Sequence, residues 1–219
     1  MRQLTAVLAA ALVLLLSGCD SRPADPPAPV KAAEPSAGGP PTGPSGRSLW
    51  TLIGDRGETL ETLPDDDPDV VAVRKAVALH SATTDNRDHR SITRSTEEEF
   101  AFYASEFAES LEKQGYGPRL DRLFRTNELA TRQVNTAWYR STIYRNRATA
   151  KAEMDSVLEF TTATPDYLRE GGFALNTPYT QHRTVSLAKR DGRWTITAIQ
   201  KSPMVKGASR PDPSGSEPS

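Results

Sequence analysis

Apolar residues recur along this chain with two different periods, and the change from one to the other divides the folded part in two. Val70, Val73, Ala76, Val77 and His80 fall three and four residues apart, the spacing that gathers side chains on one face of an α-helix. Asp67-Pro68 stands just before them. An Asp side chain can accept the free N–H groups of a first helical turn, and a proline there gives up an N–H that has no partner anyway, so the pattern predicts a helix from Pro68 to about Ser81. The polar run Thr83 to Arg94 is expected to be a loop. Ser95 with Glu98 three residues on has the form of a capping box, and Phe100, Tyr103, Ala104, Phe107, Ala108 and Leu111 continue as a second stripe that Gly115 would close. Leu120, Leu123, Phe124 and Leu129 predict one or two shorter helical pieces from Pro118 to about Ala130.

From Ala137 the period falls to two. Ala148, Ala150, Ala152, Met154, Ser156, Leu158 and Phe160 alternate with Thr149, Lys151, Glu153, Asp155, Val157, Glu159 and Thr161, which predicts a long strand with one wet face. A turn at Asn146-Arg147 would set Ile143 opposite Ala150, Tyr139 opposite Met154 and Ala137 opposite Ser156, all on the apolar face. Asp191-Gly192 has the composition of a two-residue type I′ turn, and it would set Leu187 opposite Ile196 and Val185 opposite Ala198, with Trp194 on the same face. Burial of each of these large side chains stabilises a fold by ~1.5 to 3 kcal/mol. Between the two hairpins, the Thr164 to Tyr179 segment, with Phe173, Leu175 and Pro178, is long for a connection; it is expected either to cover the domain's mouth, to meet a partner, or to pack on the domain's own edge.

The ends of the chain have neither period. Arg2 precedes an uncharged apolar run, Leu4 to Leu16, too short to span the ~30 Å of a bilayer's hydrocarbon but suited to an export leader. Leu16-Ser17-Gly18-Cys19 follows at once and resembles a bacterial lipobox: small residues admit the peptidase to the bond before Cys19, whose thiol would carry a diacylglyceryl group. On this reading residues 1–18 are a lipoprotein signal peptide, and Cys19 attaches the mature protein to the membrane. Residues 19–48, rich in Pro, Ala, Gly and Ser, have too little apolar surface to offset the entropy of ordering and read as a disordered tether; 207–219 read as a tail of the same kind. Leu49 to Ile53 is an apolar patch between tether and domain, expected to dock on the domain as a strand or turn, or to serve as a contact motif. The domain itself is placed at 66–204.

Charge and cysteine usage narrow the function classes. With 27 basic against 28 acidic residues and a net charge of -1, neither sign gathered in one segment, nothing supplies the basic face that a nucleic acid requires. The single Cys excludes an intramolecular disulfide, so the exported domain is held by its core.

Helices first, then antiparallel strands ending in the alternating residues around Asp191-Gly192-Arg193-Trp194, resemble the nuclear transport factor two-like superfamily, the cone-shaped α+β fold that includes SnoaL-like cyclases and ketosteroid isomerase. The resemblance implies N-terminal helices packed on a curved antiparallel sheet, often a hollow in the cone, and often a homodimer through the sheet. An enzyme of that fold would carry an acid or base inside the cone, for which His80, Tyr103, Tyr139, Asp155 and His182 are the candidates. Asp155 fails by phase, since it alternates with Lys151 and Glu153 on the polar side, and no histidine has a partner at recognisable spacing. Asp85, Asp88 and His89 share a loop, but Arg87 and Arg90 interrupt them and no metal-ligand spacing is present. No cofactor motif occurs. The expectation is a lipid-anchored extracytoplasmic lipoprotein whose domain is non-catalytic and binds a protein partner or a small apolar ligand, with Tyr103, Tyr139, Met154, His182 and Trp194 as the candidate pocket. An isomerase, cyclase or hydratase is the alternative.

Overall fold

At Asp67 the expected cap is present atom by atom: its Oδ1 accepts the Asp69 N–H at 2.9 Å and the Val70 N–H at 3.3 Å, and helix α1 (Pro68–Asp85) follows. The computed structural model describes residues 48–207, so the leader, Cys19, the tether before Ser48 and the tail beyond Gly207 lie outside the described residues. Helix α1 buries Val70, Val73 and Val77 on the stripe the sequence shows, but it runs a turn past Ser81 because Asp85 is buried against partners on the sheet, with Thr84 buried beside it. The loop is thereby cut to the residues between Asp85 and Ile92.

Beyond it the helical expectation needs correcting. Ser95 does not cap: it lies inside α2 (Ile92–Phe100), where its hydroxyl donates to the Ile92 carbonyl, and Glu98 pairs with Arg94 at the surface. The stripe from Phe100 to Leu111 is broken after α2 and resumes as α3 (Ser105–Lys113). Between them the backbone opens to pair with a strand, Phe102 O accepting the Ile196 N–H at 2.9 Å and Ala104 N–H donating to Ile196 O at 2.8 Å. Helical spacing survives across this break because both pieces pack on the same core. Gly115, at φ 66, closes α3 in the left-handed conformation and opens α4 (Tyr116–Thr126).

The strands are β1 (Trp50–Ile53), β2 (Thr59–Leu63), β3 (Ala130–Trp138), β4 (Ser141–Tyr144), β5 (Thr149–Thr162), β6 (Pro178–Arg190), β7 (Arg193–Lys201) and β8 (Val205–Lys206). They form one sheet in the order β2-β1-β4-β5-β6-β7, with β3 continuing along β5 past β4 and β8 along β6 past β7. The fold is α+β, but the expected antiparallel sheet is in fact mixed. The apolar patch before the domain forms β1, which pairs parallel to β4 with Trp50 beside Ser141 and Leu52 beside Ile143, and β2 turns back on it. Trp50 is fully buried against Trp138, which is what draws this segment into the sheet.

On β5 the apolar phase Ala150, Ala152, Met154, Ser156, Leu158 and Phe160 is buried as its alternation requires. Ile143 does stand opposite Ala150, yet Trp138 rather than Tyr139 faces Met154, and Thr136 rather than Ala137 faces Ser156. An extra residue at Tyr139-Arg140 is the cause. The Ser141 hydroxyl fills the gap in the ladder, accepting the Glu153 N–H at 3.1 Å and donating to Tyr139 O at 3.0 Å. A shift of one residue reverses faces, so Trp138 turns inward and Tyr139 outward. At the last hairpin, Asp191 (φ 50) and Gly192 (φ 76) both take the left-handed conformation that a type I′ turn demands. Leu187 meets Ile196 as expected; a bulge between Ser186 and Leu187 then places Val185 opposite Ile199 instead of Ala198.

The long connection before β6 forms a short helix, α5 (Pro165–Gly171), and packs on the domain's own edge. Phe173 lies 4.8 Å from Phe160 and 5.1 Å from Tyr179 between ring centroids, and the Tyr179 hydroxyl accepts the Ala174 N–H at 2.7 Å. No helix of the described residues is long and apolar enough to cross a membrane. Trp194 is 5% exposed and its Nε1–H donates to Asp69 Oδ1 at 3.3 Å, joining β7 to the first turn of α1. Trp194→Ala is therefore expected to destabilise the domain by ~3 to 5 kcal/mol, read as a lowered urea midpoint at unchanged m-value.

Candidate functional site

Two groups of charged side chains lie between the helices and the inner face of the sheet. The first joins α1 to β6. Arg183 is on the buried phase of its strand, and its guanidinium grips Asp85 with two parallel bonds, Nη2 to Oδ1 at 2.6 Å and Nη1 to Oδ2 at 2.8 Å. Ser81 donates to the same carboxylate at 2.8 Å and Gln133 at 3.2 Å; Ser156 also donates to it, and the Arg183 Nε–H donates to Gln181 at 3.0 Å. Burial alone would push Asp85 up, but the charge and hydrogen bonds of Arg183 outweigh it and hold the carboxyl below its ordinary range.

The second group hangs from α2. Glu99 accepts from Arg87 and from Tyr103, and both its oxygens accept the Tyr116 hydroxyl at 3.0 and 3.1 Å. His80 Nε2 stands 3.1 Å from the Tyr103 oxygen. Burial works to raise Glu99, yet the Arg87 charge and the His80 contact keep it far below the usual carboxylate range, while desolvation lowers His80. The network fixes the tautomer: Tyr103 gives its proton to Glu99, so a neutral His80 donates Nε2–H to the Tyr103 oxygen. An acid or base ready for proton transfer would be a carboxyl pushed up toward neutrality with a free oxygen. Asp85 and Glu99 are instead ionised and saturated with donors.

The five candidate pocket residues do not converge. Tyr103 belongs to the Glu99 group, Met154 lies fully buried on the inner face opposite Arg183, and Trp194 sits by Asp69 at the N-terminus of α1. Tyr139 and His182 are on the outer face, which corrects the inward placement of Tyr139. There they meet Asp155, the residue that its polar phase had set aside: Tyr139 donates to its Oδ2 at 2.5 Å, and His182 Nδ1 lies 2.9 Å from its Oδ1. The His182 side chain is 44% exposed. Asp85, Asp88 and His89 part company too, since Asp85 turns to Arg183 and Asp88 accepts the Arg90 and Ser91 N–H groups ahead of α2. Among the described residues no three His, Cys, Asp or Glu side chains gather as metal ligands.

Neither a family model nor a curated protein matches the sequence. Among solved structures, an IcmL-like type IV secretion system protein from Legionella pneumophila matches with a TM-score of 0.46 and 13% identity, over 66% of this chain and 98% of that one. The resemblance drawn from the sequence, a lipoprotein with a nuclear transport factor two-like domain, is corrected: no family model or curated protein of either description matches, and the mixed sheet with its added N-terminal strands departs from the implied antiparallel one.

Arg87, Glu99 and Arg183 escaped the sequence reading. Arg183 carried a signal, a charge in phase with Val185 and Leu187 on a strand; Arg87 carried none. Removing one member of either pair strands a buried charge, so Arg183→Met or Asp85→Asn should each lower stability by ~3 to 5 kcal/mol, and the double variant Asp85→Leu/Arg183→Met by less than either, in urea titrations. Acid should weaken the fold in two stages. The unfolded chain protonates His80 from about 6.5 downward while the buried imidazole stays neutral, and it protonates Asp85 and Glu99 near pH 4 while their folded forms resist. In each case the unfolded state binds more protons, so stability falls as pH falls; His80→Phe is expected to remove the first stage from a pH series of melting temperatures.

Proposed function

We propose that this chain is an extracytoplasmic binding module, attached to the cell membrane through lipid on Cys19 and carrying out no chemistry of its own. The observation that carries the reading is the state of the interior. The apolar face of the sheet is filled by Trp50, Met154, Val185, Leu187, Ile196 and the valines of α1, and the buried carboxylates are used up on arginines. A binding function needs none of that machinery to move; it needs a rigid body with a free outer surface, and the outer face of the sheet and the helical flank both offer one. The partner is a protein or a small apolar ligand, and pairing of two copies through the sheet is one form such binding takes. Export fits the charged start, the apolar run and the small residues before the only cysteine. Two acyl chains on that residue hold a protein at a bilayer durably, where one would not. The Pro-, Ala- and Gly-rich residues 19–48, read as a tether, would join that anchor to the domain.

An isomerase, cyclase or hydratase is the second reading, favoured by one observation. Asp155 orients the exposed imidazole of His182 as a carboxylate orients a working base. Cys19→Ala should move the protein from the membrane fraction to the soluble one; retention with the membrane would defeat the anchor. Cross-linking in intact cells followed by mass spectrometry is expected to recover a reproducible partner. Turnover of a ketone or enol by the purified protein, abolished in His182→Gln, would decide for the enzyme instead.

A further inference from the structure

A cleft of about 480 Å³ opens between α2, α3 and the start of α4, lined by Thr96, Glu97, Phe100, Glu112, Gly117 and Pro118. Its floor is apolar and held in place. Phe100 packs edge-on against Tyr103 at 5.5 Å and tilted against Tyr116 at 6.2 Å between centroids. Thr96 turns its hydroxyl back to the Ile92 carbonyl at 2.8 Å, which leaves its methyl toward Gly117. Gly117 has no side chain to fill the space, and a Cβ there would stand 3.7 Å from the Thr96 methyl.

The walls carry charge of one sign. Glu97 comes from α2 and Glu112 from α3, both exposed, and neither forms an ion pair among the described residues. Their neighbours on the same helices are matched: Arg94 with Glu98 at 2.8 Å, Lys113 with Glu109 at 3.1 Å. A rigid apolar floor under two unmatched carboxylates is complementary to a cation on an apolar stem. Arginine has that form. Its methylenes cover an aromatic ring while its flat guanidinium reaches carboxylates in two directions. Solvent-exposed ion pairs contribute little each, so a free small cation would gain almost nothing here, whereas a polypeptide adds burial with every further residue laid in the cleft.

We propose that this cleft docks an extended, arginine-bearing segment of a partner protein, with the arginine stem over Phe100 and its guanidinium between Glu97 and Glu112. The inference rests on the binding-module reading and names the chemistry of the partner.

The test uses the purified full chain and three probes: a fluorescent octapeptide of alternating arginine and proline, the same peptide with glutamine for arginine, and N-acetyl-arginine amide. Binding is followed by fluorescence polarisation at low salt, with amide chemical shifts mapping the site. The arginine peptide should bind at least about tenfold more tightly than its glutamine analogue, shift Thr96, Phe100 and Gly117, and lose affinity about tenfold in Glu97→Gln/Glu112→Gln and again on raising the salt. Glu98→Gln/Glu109→Gln should bind as the parent does. Equal binding of the two peptides, or an unchanged affinity in Glu97→Gln/Glu112→Gln, overturns the proposal. So does N-acetyl-arginine amide binding as tightly as the peptide, which would make the cleft a small-cation site. If the Glu97→Gln/Glu112→Gln protein still captures its partner on cross-linking in cells, docking lies elsewhere and the binding-module reading stands without this one.

Discussion

Everything in this domain is arranged around one buried contact, the two-pronged grip of Arg183 on Asp85. Burying two charges is costly, and a well-packed apolar pair of the same volume would often be as stable. What the pair contributes is position. Asp85 is on the last turn of α1 and Arg183 in the middle of β6, so the bonds form at only one rotation and one height of the helix over the sheet. Ser81 and Ser156 extend the same requirement to α1 and β5, and Gln133 to β3. At the other end of α1, Asp69 receives Lys189, Arg147 and the Trp194 indole. The helix is thus pinned at both ends by polar contacts, with valines between, and the Arg87–Glu99 group fixes α2 beside it.

How far the sequence disclosed this depends on the range of the interaction concerned. Local chemistry was legible: Asp67-Pro68 capped a helix, Asp191-Gly192 made its turn, and the alternation of Thr149 to Thr162 gave both the strand and its buried face. Contacts made by distant segments were not. The helical stripe from Phe100 to Leu111 hides its break, because what interrupts it is Ile196, ninety-odd residues on in β7. Capping by Ser95 failed for the same reason, since α2 starts earlier where Asp88 and the buried Ile92 anchor it. Tyr139 and Trp138 exchanged faces through one extra residue, a displacement that alternation alone cannot register when both neighbours are aromatic.

The candidate site was the least legible part, and the reason is physical. Phase along a strand reports burial, not what a buried group meets. Tyr103 and His80 were correctly placed on inner faces, but their partner Glu99 sits on a helix whose pattern marks it as one acidic residue in a run of three. Asp155 was set aside because it faces out, and it is there that it orders Tyr139 and His182. The outer face of the sheet thus carries one imidazole held by a carboxylate, an arrangement that alternation along the strand could not reveal.

Inside and outside obey opposite rules in this protein. Inside, each charge is answered by an opposite charge from another element, since an unanswered one would cost more than the fold can bear. On the surface water answers, and a carboxylate such as Glu97 or Glu112 can stand alone at no penalty. Unmatched charge above a rigid apolar floor is therefore stable in the free protein, and it becomes favourable to cover only when the arriving group brings both the opposite sign and an apolar stem. The same surface that is indifferent to most of what it meets is for that reason selective. The paired charges within hold Tyr103 and Tyr116 through Glu99, and Phe100 packs on both rings, so the floor offered to a partner is one the fold has already placed.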